Sequence, residues 1–440
     1  MGSCARVGRG SRRRDAPERP RAIAAHGIHA SRQPESESVA LRLAVYGLVR
    51  DRAGSVPSAH FLLCRALLQA GHHLDLYADP DYIPDPCYEA SRYRYVPLEL
   101  EPFRPPNVTR LPADLQRFVN LLAGRRNGHH ARETAIALAR ARHSVYPYDA
   151  VLFLGMPPCS TIDGVTTFVW PECGPQTELD AVRGMSKPIT RVSGRAAYLK
   201  LRLYYEVKDR LVWGWARRDH LILASWLGRQ QAIAFGVPAD RIRVVPYPID
   251  LERFTMGEVP SGATRRVLCV GRLDPRKRID LLVDAVAILA RRRNDFRVDV
   301  IGRDGYLRGW SELVRAASRH LPITYTGAVP QSHIVHRLRE ADVLVQPSEQ
   351  EEFGHAVAEA LACGVPVVTG PTNGTGAYAP TGASASFDSY TPRSLAEAIE
   401  RALALSRDPS ARAACRNAAE AFAADRVAAT VSHFIRQERC

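Results

Sequence analysis

A chain of 440 residues is too long for one ordinary hydrophobic core, so its length favours two domains of roughly 200 residues each. Apolar residues make up 46% and charged residues 24%, and no stretch reaches the ~18 uninterrupted apolar residues that a membrane-spanning helix requires, which predicts a globular chain, soluble or peripheral. The formal charge of +14 admits nucleic acid, an anionic membrane or anionic small molecules as partners, and where the charge sits decides among them.

Residues 1–38 read as a disordered basic tail. Eight arginines within residues 1–34 face only Asp15 and Glu18, so this stretch carries +6 of the charge and the rest of the chain +8. The tail contains prolines and no amphipathic helix, which argues against an organelle transit peptide, and a misassigned start is the other explanation. Arg6 stands where a myristoylation signal has Ser or Thr. The nine cysteines form no C-x-x-C pair and meet no ligand-like histidine spacing. The expectation is therefore a reducing, cytoplasmic setting without structural zinc.

The run LRLAVYGLV from Leu41 predicts a strand, followed by a turn through Gly54, a helix over 58–70 and a strand over 73–77. This order opens a doubly wound parallel sheet, in which ligands sit beyond the carboxyl ends of the strands. Further strands are expected at 150–154, 165–169, 220–223 and 242–245. Residues 79–130 read as irregular. Asp79 and Asp81 form an Asp-x-Asp but lie in a proline-containing turn, which reads as turn chemistry rather than a metal site. Residues 191–218 read as helical and mix Arg195, Lys200 and Arg202 with Tyr198, Leu199 and Leu203. Such a face suits either peripheral contact with an anionic membrane or ordinary packing with solvated arginines. The sequons at Asn107 and Asn373 carry little weight in a cytosolic chain.

After a polar link at 257–264 the alternation is cleaner. Strands are expected at 267–270, 298–301, 323–325, 343–345 and 365–368, with helices at 279–292, 308–319, 332–340 and 356–363. Ile279, Leu282, Val283, Val286 and Leu289 recur at helical spacing. Beyond about 391 the chain reads as helical. The domains expected are 39–256 and 257–395, with a ligand cleft between them and carboxyl-terminal helices over 396–440 packing back toward the first.

Two constellations carry chemistry. After the strand at 267–270 comes Gly271-Arg272-Leu273-Asp274-Pro275-Arg276-Lys277-Arg278, four cations just before a helix start, which suits a phosphate-bearing ligand. The chain has 60 lysines and arginines but only four lysines, so Lys277 stands out as a compact charge in an arginine-rich chain. The second is Glu349-Gln350-Glu351-Glu352-Phe353-Gly354-His355-Ala356, with Glu359 deeper in the next helix. Carboxylates placed so suit the paired hydroxyls of a sugar. Gly354 is expected to permit close backbone approach at the helix start.

The runs VGRLDPRKRIDLLVDAV, YTGAVPQSHIVHRLREADVLVQPS and EEFGHAVAEALACGVPVV together resemble the retaining GT-B glycosyltransferases of the family 4 type. The resemblance implies an α/β chain of two Rossmann-like doubly wound domains facing across a cleft. It implies that Arg272 and Lys277 contact the donor diphosphate, Glu351 the transferred sugar and Glu359 the ribose. Gly271 would belong to the phosphate loop, and the backbone of Gly354, His355 and Ala356 would approach the donor. Gly54 is what remains of an amino-terminal glycine loop. The implied reaction is metal-independent transfer of a hexose from a UDP- or GDP-sugar, with retention, to a glycan, lipid-linked or small-molecule hydroxyl. An inactive nucleotide-sugar-binding protein is the alternative, and no nucleic-acid partner is expected. Three departures stand out: Pro246-Tyr247-Pro248 replaces a common Asn-Gly, Glu352 a common glycine, and His355 a common apolar residue. Glu172, and His60 near Gly54, are candidates for the acceptor side.

Overall fold

Long buried apolar runs and helical stripes build two parallel sheets. The computed structural model describes residues 39–47, 49, 55–78, 92–98, 129–156, 159–214, 216–305 and 307–439. The basic tail, Gly54, Asp79, Asp81 and Asn107 lie outside the described residues.

The first sheet holds β1 (Arg42–Gly47), β2 (His73–Ala78), β3 (Tyr93–Pro97), β4 (Ala150–Leu154), β5 (Thr166–Trp170), β6 (His220–Leu223) and β7 (Ile242–Val244), in the order β3-β2-β1-β4-β5-β6-β7. Every residue of β4 is buried, as a strand covered on both faces requires. Around this sheet run α1 (Ser55–Gln69), α2 (residues 129–143), α3 (Thr177–Gly184), α4 (Ser186–Ser193), α5 (Arg195–Trp213) and α6 (Trp226–Phe235). The second sheet holds β8 (Arg265–Val270), β9 (Phe296–Ile301), β10 (Ile323–Gly327), β11 (Val343–Gln346), β12 (Val367–Thr369) and β13 (Ala385–Ser386), in the order β10-β9-β8-β11-β12-β13. Its helices are α7 (Ile279–Leu289), α8 (Trp310–Ala317), α9 (Gln331–Arg339) and α10 (His355–Ala362). Then come α11 (Pro392–Leu405), α12 (Pro409–Ala418) and α13 (Ala424–Glu438). The stripe expected on α7 is buried at all five positions.

Strand order reverses between β1 and β4 in the first sheet and between β8 and β11 in the second. A crevice opens at such a point because the flanking connections leave in opposite directions. The loops after β8 and β11 are the two chemical constellations of the sequence, so the fold brings them together.

Three stretches differ from expectation. The segment 79–130 contains the edge strand β3, whose residues are at most half-buried, so its alternating Tyr-Arg-Tyr pattern carries little apolar signal. The helix over 191–218 is broken at Gly194, whose φ of 89° ends α4 and starts α5. Helix α6 lacks a strong apolar stripe and is set by its cap, the Ser225 hydroxyl accepting the Gly228 N–H at 3.1 Å. At the carboxyl terminus α13 packs on α1, and the His72 ring bonds the Ser432 hydroxyl at 3.0 Å.

Candidate functional site

The basic loop after β8 divides its cations among different tasks. Lys277 ends a short 3-10 turn, Pro275–Lys277, and its ammonium forms an ion pair with Glu351 from the loop after β11. Both side chains are largely buried, 16% and 7% exposed. Burial pushes the Glu351 carboxyl up, but Lys277 and Arg276 outweigh it and hold the group down at about 2. Arg276 donates to the Gln350 carbonyl at 3.2 Å. Arg278, in a left-handed backbone conformation with φ of 49°, is held by Glu349 at 2.6 Å and Asp280 at 3.3 Å. Arg272 stands apart: its side chain is 65% exposed and lies 3.4 Å from Asp274. Of the two cations expected on a diphosphate, then, Lys277 meets Glu351 and Arg272 projects into solvent.

Glu359 faces a cleft lined by Ser58, Asp250, Arg253, Gln331 and His355. Burial raises its carboxyl to about 8, with only Arg253 opposing. Arg253 is fixed by Gln331 at 2.9 Å, and its own N–H is capped by Asp250 at 3.0 Å. His355 opens α10, and burial lowers its imidazole to about 3. Ala356 is half-buried in the same turn. Gly354 has an ordinary φ of −84°, so it is not needed for a left-handed turn. A side chain there would instead crowd Val357 at 3.3 Å and Asn373 at 3.4 Å. Gly271 ends β8, with the Lys277 stem 3.7 Å from where its Cβ would lie. The Asn373 sequon is buried.

The departures from the family pattern all fall where the two sheets meet. Tyr247 stacks on Trp170 with ring centroids 5.0 Å apart, lies 5.2 Å from His355, and donates to the Pro171 carbonyl at 3.0 Å. His60 of α1 lies 5.8 Å from the same ring, whereas Glu172 is exposed on the loop beyond Trp170. Glu352, 2% exposed, turns the opposite way from Glu351 and accepts the Ser225 N–H at 3.2 Å, at the start of α6. Burial raises this carboxyl to about 7. Gly228 leaves room for it: a Cβ there would lie 2.2 Å from the carboxylate oxygens. Beside it, Gln350 accepts from Gln231 of α6 at 2.9 Å.

Residues 258–422 match the family described as Glycosyl transferases group 1. The match takes in β8 to α12, the stretch that holds both chemical loops. Over 218 residues the chain is 32% identical to the D-inositol 3-phosphate glycosyltransferase of Acidothermus cellulolyticus, covering 45% of this chain and 48% of that protein. It is 35% identical over 225 residues to a GDP-mannose-dependent alpha-(1-6)-phosphatidylinositol dimannoside mannosyltransferase of Mycobacterium tuberculosis, covering 49% and 57%. The chain thus spans about half the length of the curated relatives it matches. Among solved structures, sucrose-phosphate synthase from Thermosynechococcus elongatus is 21% identical with a TM-score of 0.59, covering 90% of this chain and 98% of that one. WaaG, a glycosyltransferase involved in lipopolysaccharide biosynthesis, is 15% identical with a TM-score of 0.58, covering 89% and 99%. These likenesses show the GT-B fold of two Rossmann-like halves.

The Lys277–Glu351 pair and Glu359 all fall in the matched segment, while Arg253 lies five residues before it. Arg253 and Gln331 escaped the sequence reading. The only local signal for Arg253 is the Asp250 side chain three residues upstream, which caps its N–H, and Gln331 carries none.

Proposed function

We propose that the chain is a retaining glycosyltransferase that moves a hexose from a UDP- or GDP-linked sugar to a hydroxyl of a glycan, lipid-linked or small-molecule acceptor, without a metal at the donor. The observation that carries this is the buried Lys277–Glu351 pair at the strand-order reversal of the second sheet, next to the start of α10. An ammonium has three donors, so Lys277 can keep Glu351 and still take a phosphate oxygen. As the nucleoside diphosphate departs, negative charge grows on that oxygen, and a fixed cation and a helix start stabilise it without rearranging. Glu351 accepts from the hydroxyls of the transferred hexose. Glu359, protonated near neutral pH, both donates to and accepts from a ribose diol. Arg272 reaches the diphosphate from solvent when the donor binds. The acceptor enters from the first sheet, past Tyr247 and His60, and the leaving oxygen takes its proton on the same face.

The GDP-mannose dependence in the name of the Mycobacterium tuberculosis relative supports a nucleotide-sugar donor. The test is a thermal-shift panel of nucleoside diphosphates and their sugars, followed by turnover of the best binder and the anomeric configuration of its product. Inversion overturns the retaining mechanism, and binding without turnover makes the chain an inactive sugar-nucleotide binder.

We further propose peripheral contact with an anionic membrane. Leu199, Leu203 and Val207 on α5 are 52%, 61% and 43% exposed at four-residue spacing, with Arg195 and Arg202 exposed on the same helix. Among the described residues no helix is long and apolar enough to cross a membrane. Co-sedimentation with vesicles containing anionic lipid, lost on Leu203→Glu, tests it.

A further inference from the structure

The first sheet has its own reversal point, between β1 and β4, and the loop that leaves β4 there contains Cys159. Helix α2 brings His129 and Glu133 to the same place, one turn apart on one face. His129 Nδ1 lies 3.7 Å from Cys159 Sγ and 3.9 Å from Glu133 Oε1, and all three ligand atoms lie within 4.8 Å of one another. A tetrahedral zinc ion with bonds of about 2.0–2.3 Å needs its ligand atoms about 3.3–3.6 Å apart. Two of the three separations thus lie within about 0.6 Å of that geometry and the third stays inside 4.8 Å, a gap that small side-chain rotations close.

The ligands are also aimed. Glu133 Oε1 accepts the Cys159 N–H at 2.9 Å and the Ser160 N–H at 3.3 Å, and Oε2 accepts the Ser160 hydroxyl. Arg218 donates to the Cys159 carbonyl and Arg140 to the Thr161 carbonyl at 2.6 Å, so the loop is tied down at the thiol-bearing residue and just after it. Such bonds hold a ligand in the orientation a metal uses.

We propose that His129, Glu133 and Cys159 form a three-ligand site for a zinc-type divalent cation, with water in the fourth position. One thiol, one imidazole and one carboxylate suit a borderline-soft ion rather than magnesium or calcium, which take oxygen ligands throughout. On binding, the Cys159 thiol loses its proton to solvent, and the thiolate and carboxylate together neutralise the ion's two charges. The site is built from α2 and the loop after β4, which contribute nothing to the Lys277–Glu351 pair, and it stands whether or not the chain transfers sugar. Spacing hid it, because 26 residues separate Glu133 from Cys159.

The experiment titrates untagged, metal-stripped full-length chain with Co²⁺ and then Zn²⁺ against a chelator of known affinity. One equivalent of Co²⁺ is expected to give a thiolate-to-cobalt charge-transfer band and the visible absorption of a tetrahedral ion, both bleached by one equivalent of Zn²⁺. Cys159→Ser removes the charge-transfer band. His129→Ala, at a side chain 47% exposed and so without cost to folding, weakens Zn²⁺ at least as much as loss of an orienting group does, about 10–100-fold. Cys415→Ala, in α12, changes neither. Failure of the wild type to bind one equivalent, or a band that survives Cys159→Ser, overturns the site.

Discussion

Glu351 and Glu359 are both buried, 5% and 8% exposed, yet their surroundings differ in kind. Glu351 lies against an ammonium that is itself held in the fold, so its charge is stabilised. Glu359 lies on the inner face of α10 with a single guanidinium nearby, and burial dominates. The same residue type thus serves as a fixed anion in one region and as a neutral acid at pH 7 in the other. Linkage gives the two opposite signs. Glu351 adds stability that is present above the ordinary carboxylate range and lost as pH falls toward about 2. Glu359 binds its proton more tightly folded than unfolded, so its contribution weakens as pH rises from about 4.5 to about 8.

The largest effect is expected at Lys277→Ala. It leaves the buried Glu351 carboxylate without its ion-pair partner, with only Arg276 nearby, costing about 3–5 kcal/mol in urea unfolding. It also lowers sugar transfer by at least ~10²-fold. A variant with wild-type stability would erase the contrast between the two carboxylates. Next comes Glu359→Gln, which keeps the shape but cannot ionise. Unfolding free energy measured from pH 4.5 to 8 should lose the part of its downward slope that Glu359 contributes, which alone extends to about 8, while that of Glu352 remains; transfer falls by at least ~10²-fold. An unchanged slope would place the titration elsewhere.

These differences show how far the sequence was legible. The doubly wound order of the second sheet follows from short apolar strands alternating with striped helices, and each expected strand there was found within a few residues. That Lys277 and Glu351 belong to one site was expected only through the family resemblance, and their direct ion pair was not expected at all. What stayed hidden depends on the approach of parts distant in sequence. Arg253 reaches Glu359 across 106 positions, and Glu352 reaches Ser225 across 127. Neither pairing leaves a periodic mark. The apportioning of the basic loop was hidden for a related reason: Arg272 and Arg278 read alike, but one is exposed and the other is enclosed by Glu349 and Asp280.

Glu352 extends the comparison to the contact between the two halves. Glu352→Ala should cost about 1–3 kcal/mol, since it strips the buried Ser225 N–H of its acceptor. Glu352→Gln keeps an acceptor oxygen and should restore most of that loss. If Gln is as damaging as Ala, the charge at the start of α6 matters more than the hydrogen bond.

The smallest effect on folding is expected at Arg272→Ala, and for that reason it separates binding from architecture. The guanidinium is mostly in water, and its pair with Asp274 at 3.4 Å is of the exposed kind that contributes little. Unfolding free energy should change by less than about 0.5 kcal/mol. Donor KM should nonetheless rise, because the same exposure that makes Arg272 dispensable for stability leaves it able to close on an incoming diphosphate. Lys277 cannot be separated in this way, since its removal disturbs Glu351 even without donor. An Arg272→Ala variant with unchanged KM and kcat would assign the phosphate contact to Lys277 and the α10 start alone.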